Sequence, residues 1–379
     1  MHSITLELRP RLQTCNAFIR LRENTDAKNV EIKLSEESIR LLFEDNALTF
    51  LLSAVKITPN SLSALNKTND WITFRVQTKS DSTFGSFRTE VITDTVPRIN
   101  PFTDARHNYR SLASVECVLS CTCCKNAITE KICFRRILPL PDTDYDQGEW
   151  FCCTHNHENA PPNLAPQRYD LFYGSFFFIV NANLFGSNVK ITDKAILCNR
   201  CLRHLGKVYA EGSYKLWNSC IDYNSSNGSL IRCAPDPCFD FWIAIKTSLT
   251  DVFGEEVVLR SFVENKVHRL TVKPMDWNMN MMTEPTVQRT TDRTNVIRLR
   301  KLCVVKVLYK YETCSDTFNT GSTNTRYCEV GLPVIEAGLK HLLTSTKRFP
   351  RIHRVAADYY VGHIDYDEIA NREIRSKTK

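Results

Sequence analysis

The chain has 379 residues, 42% hydrophobic and 24% charged, which excludes a disordered polar segment and allows two or three domains with cores of their own. Sixteen cysteines are too sparse for a small secreted disulfide scaffold, so the thiols are expected to be reduced in an intracellular protein. The net charge of +7 is spread along the chain, and its densest stretch, RTTDRTNVIRLRK at 289–301, has no interleaved aromatics, so direct nucleic-acid binding is not expected.

The first hundred residues read as strands. SITLELR, AFIRLR, VEIKLS, SIRLLFED, LTFLLSAVKIT and WITFRVQTK are short, alternating and rich in β-branched or aromatic residues, with Asn, Asp, Ser and Pro between them. LSALNKTND (62–70) reads as a loop or one helical turn, and the two prolines of 94–108 mark a boundary. Most of the cysteines then fall between 117 and 220. Within that stretch, 139–166 is an irregular excursion and Asp170 to Asn181 reads as a buried strand. The longest apolar run, at 175–185, is too short and too polar to cross a bilayer, so no membrane partner is expected.

Further on, FDFWIAIKTSLTDVF (239–253) places Phe239, Trp242, Ile243, Leu249 and Phe253 on one helical side. EVVLRSFVENKVHRLTVKP reads as a hairpin turning near Glu264 and Asn265, and 278–295 as a polar loop. RKLCVVKVLYKYE is a strand, and GLPVIEAGLKHLLTST (331–346) is a helix with Pro333 early and Ile335, Leu339, Leu342 and Leu343 in one stripe. The expected class is α+β, mostly β. An antiparallel β-sandwich-like domain covers 1–100, a Cys-rich, zinc-clasped segment covers 110–235 with a protruding loop at 139–166, and an α+β domain covers 236–379.

Two Cys-x-x-Cys pairs stand in the middle segment, Cys121/Cys124 and Cys198/Cys201. Each such knuckle turns two thiolates to one point, and two knuckles complete a tetrahedral structural zinc site. Chance supplies roughly 0.7 such pairs at this cysteine content, so the context of CNRCLRHLG, a knuckle followed by a glycine turn at Gly206, adds weight. Cys123 is an alternative to either neighbour as a ligand.

Between the pairs lies GEWFCCTHNH, residues 148–157. Cys152, Cys153, His155 and His157 could fold locally around a second metal, could form a base-activated nucleophile, or could be held out for a partner's metal. The residues alone leave the three open.

The ordered blocks Cys-x-x-Cys, RRILPLP, GEWFCCTH, DLFYGSFFFIVN and LCNRCLRHLG resemble the HECT-like ubiquitin-conjugating-enzyme-binding family over about 118–210, and CVVKVLYK is similar to a C-terminal strand of that family. The resemblance implies two roles. One is a binding partner and assembly or inhibitory factor of the metallo-β-lactamase-type zinc endonuclease of pre-mRNA 3′-end cleavage and polyadenylation. Trp150, with Phe151 and His155, would then anchor a loop whose Cys153, or alternatively Cys152, reaches the nuclease zinc. The other is a ubiquitin-protein ligase that accepts ubiquitin from a ubiquitin-conjugating enzyme. Whether the chain is itself an enzyme stays open; if it is, it is a ubiquitin-protein transferase, with no catalytic residue assigned. A full HECT fold would fill nearly the whole chain and leave no room for the β-rich N-terminal half, which favours the binding-partner role.

Overall fold

A computed structural model describes residues 3–22, 26–44, 46–68, 70–79, 109–140, 165–192, 194–225, 228–248, 255–263, 266–285, 295–315 and 324–377. Among them the chain is mostly β, with three α-helices: Pro237–Ser248 (α1), Leu332–Thr346 (α2) and Tyr366–Lys377 (α3). None of these is long and apolar enough to cross a membrane. The chain divides into two compact units, one of Met1–Arg98, Val272–Lys310 and Lys340–Ile369, the other of Ile99–Thr271, Tyr311–Leu339 and Ala370–Lys379. The stretch 236–379 is therefore shared between the two.

In the first unit, Ser3–Arg9 pairs antiparallel with Thr14–Arg20, which pairs with Trp71–Thr78, which pairs with Ile57–Lys67. A second sheet runs Val296–Arg298, Ala47–Leu51, Ser38–Leu42, Glu31–Ser35. Alternation explains the packing between them: Ile4, Leu6, Leu8, Ile19, Ile39, Leu41, Phe50 and Ile72 point into one core and are nearly inaccessible to water. The strand Val296–Arg298 joins that sheet parallel to Ala47–Leu51, an exception to the antiparallel expectation.

Three local expectations are corrected here. The segment 62–67, expected as loop or helical turn, belongs to the strand Ile57–Lys67; register shifts after Thr58 and Ser63 and a left-handed Ala64 (φ 51°) hide its alternation. The expected polar loop at 278–295 begins as strand, because Lys266–Thr283 runs on to Thr283. Its buried Met282 pairs with Leu6 and fills the core, a role the interspersed Asn residues mask. In α2, Ile335 and Leu342 are buried as expected, but Leu343 is 38% exposed.

The second unit has a seven-stranded sheet in the order Arg136–Pro139, Asp170–Tyr173, Phe177–Asn181, Ser213–Trp217, His204–Ala210, Ala195–Cys198, Val189–Ile191. A four-stranded sheet runs Leu230–Arg232, Ile221–Ser225, Glu116–Cys121, Ile132–Cys133. Their shared core includes Leu119, Phe134, Phe178, Ile196, Leu216 and Trp217. The stretch Asp170–Asn181 is a hairpin of two strands rather than one, turned at Gly174, whose N–H donates to the Phe177 carbonyl at 2.8 Å. Helix α1 buries Cys238, Phe239, Asp240, Phe241, Trp242, Ala244 and Ile245, so it is covered on nearly every side rather than along one stripe. Leu249 and Phe253 lie outside the described residues, as do the turn at 264–265 and the boundary at 94–108.

Candidate metal centre

The four sulfurs of Cys121, Cys124, Cys198 and Cys201 all lie within 4.8 Å of one another. Cys121 closes the strand Glu116–Cys121 and Cys198 closes Ala195–Cys198, so the cluster ties the end of the four-stranded sheet to the end of the seven-stranded one. Both pairs fold alike. The N–H four residues on returns to the first cysteine's carbonyl, Lys125 to Cys121 at 2.9 Å and Leu202 to Cys198 at 2.8 Å. The first cysteine's own N–H donates five residues on, to Asn126 at 2.9 Å and to Arg203 at 2.9 Å. Lys125 and Leu202 both sit in the left-handed region at φ 58°. Two copies of one turn therefore face each other, each aiming a pair of thiols at a common point.

The donor set fits a thiophilic metal. Cys121 and Cys201 sulfurs are 3.7 Å apart, and those of Cys124 and Cys198 3.6 Å. A disulfide requires about 2.0 Å, whereas a tetrahedron with metal–sulfur bonds of about 2.3 Å places its corners about 3.8 Å apart. Burial raises the Cys121 thiol pKa against the N–H groups of Cys124 and Cys123. At Cys198 burial also opposes ionisation, but the N–H groups of Cys201 and Arg200 outweigh it and bring the thiol down to about 7. Backbone dipoles thus already support negative charge where a cation would neutralise it. Cys123 is exposed and stands outside the cluster.

Gly206 has a different role from the turn expected of it. It lies in the strand His204–Ala210, where an added Cβ would stand 2.1 Å from the Lys215 carbonyl oxygen, so its lack of a side chain permits the close approach of two strands. The residues that turn the knuckles are Lys125 and Leu202, and neither residue type announces a left-handed conformation.

The excursion between the pairs is anchored at both roots. Arg136–Pro139 pairs parallel with Asp170–Tyr173, and the Leu140 N–H donates to the Tyr173 carbonyl at 2.6 Å. Asp170, 5% exposed, accepts from Arg136 through both carboxylate oxygens and from the Gln167 N–H at 2.8 Å. Parallel neighbours need a long crossover, and this one runs through 141–164. Trp150, Phe151, Cys152, Cys153, His155 and His157 lie outside the described residues.

A part-buried charge centre in the same unit has no local signature in the sequence. Lys207 and Lys215, cross-strand neighbours, both bind the Glu329 carboxylate, and the Lys215 ammonium sits 4.0 Å from the Phe177 ring centre. His204 is 6% exposed with neither ring nitrogen hydrogen-bonded among the described residues, and burial lowers its pKa to about 4, against the pull of Glu329. The alternation of the strands hid this centre, because its members come from distant stretches of the chain. Among the other thiols, burial pushes Cys117 and Cys220 up to about 12, which makes them inert as nucleophiles.

A family model for HECT-like ubiquitin-conjugating enzyme (E2)-binding proteins matches residues 7–361. Among curated proteins, the chain is 26% identical over 234 residues to an E3 ubiquitin-protein ligase of Rattus norvegicus, covering 60% of this chain and 57% of the relative. It is 24% identical over 233 residues to the Mus musculus protein of the same name, and 28% identical over 136 residues to that of Homo sapiens, there covering 30% of this chain and 34% of the relative. The matched stretch is thus little more than half the length of the rat and mouse relatives. No solved structure matches the chain. With the family model spanning nearly the whole sequence and running through both cysteine pairs, the chain belongs to the HECT-like ubiquitin-conjugating-enzyme-binding family.

Proposed function

We propose that this protein binds a ubiquitin-conjugating enzyme and acts as a ubiquitin-protein ligase, on a scaffold that zinc holds together through Cys121, Cys124, Cys198 and Cys201. The observation that carries this reading is the family match over 7–361, joined by the names of the relatives. Zinc, when bound, supplies structural cross-linking, because four thiolates fill its tetrahedron and leave no position for substrate. In a discharge assay, the purified chain is expected to bind a ubiquitin-charged conjugating enzyme and speed loss of its thioester at least about tenfold. If ubiquitin passes through the chain, the thioester on the conjugating enzyme breaks, a new one forms on a cysteine of this chain, and reductant cleaves it. Unchanged discharge with no complex on gel filtration overturns the reading.

A second reading is favoured by the sequence GEWFCCTHNH and by the hydrogen-bonded strands on either side of it, since a segment rooted on paired strands suits insertion into another protein. It makes the protein a cytoplasmic partner and inhibitor of the zinc endonuclease of pre-mRNA 3′-end cleavage. Trp150, Phe151 and His155 would lie at the interface, and the Cys153 thiolate, or that of Cys152, would displace the nuclease's catalytic water. Cys152→Ala and Cys153→Ala are compared for co-purification with the nuclease and for cleavage by the complex. One of the two is expected to lose binding or restore cleavage, and wild-type behaviour of both rejects the insertion.

A further inference from the structure

The basic end of the 289–301 stretch has a place in the first unit that neither reading uses. The turn Ser53–Lys56, which follows the strand Ala47–Leu51, and Arg298, at the end of the strand Val296–Arg298, wall a cavity of about 540 Å³, into which Lys56, Arg298 and Lys301 bring positive charge and only Glu37 brings negative. Glu37 is matched by Lys56 at 3.0 Å, which leaves Arg298 without a counter-charge in the lining. Arg298 is exposed and makes no ion pair among the described residues. The N–H groups of Ser53, Ala54 and Val55, all lining the cavity, likewise have no acceptor among the described residues. The Ser53 hydroxyl donates to the Leu299 carbonyl at 2.8 Å, which fixes the turn against the strand.

The strand is also an open edge. Thr49 donates to the Asn295 carbonyl at 2.8 Å and Leu299 donates to the Leu51 carbonyl at 3.0 Å, so residues 295, 297 and 299 face the sheet. The backbone groups of Val296 and Arg298 face outward, on the last strand of that sheet, and Val296 is 46% exposed. Unpaired edge groups, an unmatched guanidinium and free amides are the parts that receive an extended anionic chain. The apolar lining is aliphatic (Leu51, Leu52, Ala54, Val55) and carries no aromatic ring on which a base could stack, which argues for peptide over single-stranded RNA.

We propose that this groove binds an extended acidic peptide that adds to the edge at Val296–Arg298, with its carboxylates at Arg298 and the Ser53–Val55 amides and its apolar side chains on the aliphatic lining. The test is fluorescence anisotropy on the full chain with a labelled Glu-Leu-Glu-Leu-Glu peptide, a matched Gln-Leu-Gln-Leu-Gln peptide and an oligo-uridine RNA. Wild type is expected to bind the glutamate peptide alone, more weakly as salt rises. Arg298→Glu is expected to weaken binding at least about tenfold, and Arg298→Gln less, because a charge-assisted contact is lost. The position is exposed, so unchanged melting temperatures verify that both variants fold. Equal binding of the two peptides, or wild-type affinity in Arg298→Glu, overturns the proposal. So does RNA binding that Arg298→Glu abolishes, which would assign the groove to nucleic acid.

Discussion

Cys198→Ser is expected to abolish metal binding at the proposed zinc centre and unfold much of the second unit, while Cys123→Ser, beside the other pair, changes stability by no more than about 0.5 kcal/mol. The contrast follows from position. Cys198 is buried at the end of one sheet and faces Cys124 across 3.6 Å, whereas Cys123 is exposed and outside the cluster. Structural zinc in small finger peptides supplies about 10–16 kcal/mol of apparent binding free energy that is also folding free energy. The second unit has a hydrophobic core of its own, so its dependence is smaller, on the order of 5 kcal/mol. Serine also puts a more polar hydroxyl at a fully buried position beside three thiols, which are weak hydrogen-bond partners for it. Metal content by mass spectrometry, thermal melts with and without a strong chelator, and limited proteolysis together check the outcome. A wild-type protein free of metal whose melt ignores chelator, with Cys198→Ser melting alike, would remove zinc from the account.

Much of this centre could be read in the sequence because a Cys-x-x-Cys turn is local: the thiols converge whatever the rest of the chain does, and the two pairs met as expected. The turn's left-handed residues could not be read, since Lys125 and Leu202 are residue types without a preference for that conformation. Strands with one buried face, such as Ser38–Leu42, declare themselves by alternation. Ser3–Arg9 is buried at every interior position, which alternation alone does not anticipate: Ile4, Leu6 and Leu8 enter the hydrophobic core, while Thr5 and Glu7 on the opposite face meet Arg348, Lys306 and His363. Those partners come from the far end of the chain, as the 299-residue separation of Glu7 and Lys306 illustrates. No local pattern carries that information.

That buried cluster sets the second large effect. Glu7→Gln is expected to destabilise the first unit by about 3–5 kcal/mol near neutral pH, because it leaves the Lys306 ammonium without its anion. Glu7 is 3% exposed; one carboxylate oxygen lies 2.9 Å from the Lys306 ammonium and 3.2 Å from the His363 Nε2, and the His363 ring stacks on Phe349 at 5.0 Å. Burial opposes ionisation of Glu7, but the His363 hydrogen bond and the Lys306 charge overcome it and hold the carboxyl at about 2, below its ordinary 4.5. A depressed carboxylate stabilises the fold above its unfolded pKa and loses that contribution as pH falls through the folded one, so roughly 3 kcal/mol disappears between about pH 4.5 and about pH 2. His363 is depressed first by burial, against the pull of Glu7. The unfolded chain therefore takes up a proton below the ordinary histidine value of 6.5 that the folded state resists, and stability falls with pH here too. Urea titrations at about pH 7, about pH 5 and about pH 2.5 separate the two contributions: wild type should lose stability across both steps, and Glu7→Gln only across the upper one. Glu7→Gln/Lys306→Met should recover most of the loss at neutral pH, since replacing both charges removes the unpaired ammonium together with its anion. A Glu7→Gln protein as stable as wild type at neutral pH would mean that water already solvates Lys306 in the folded chain.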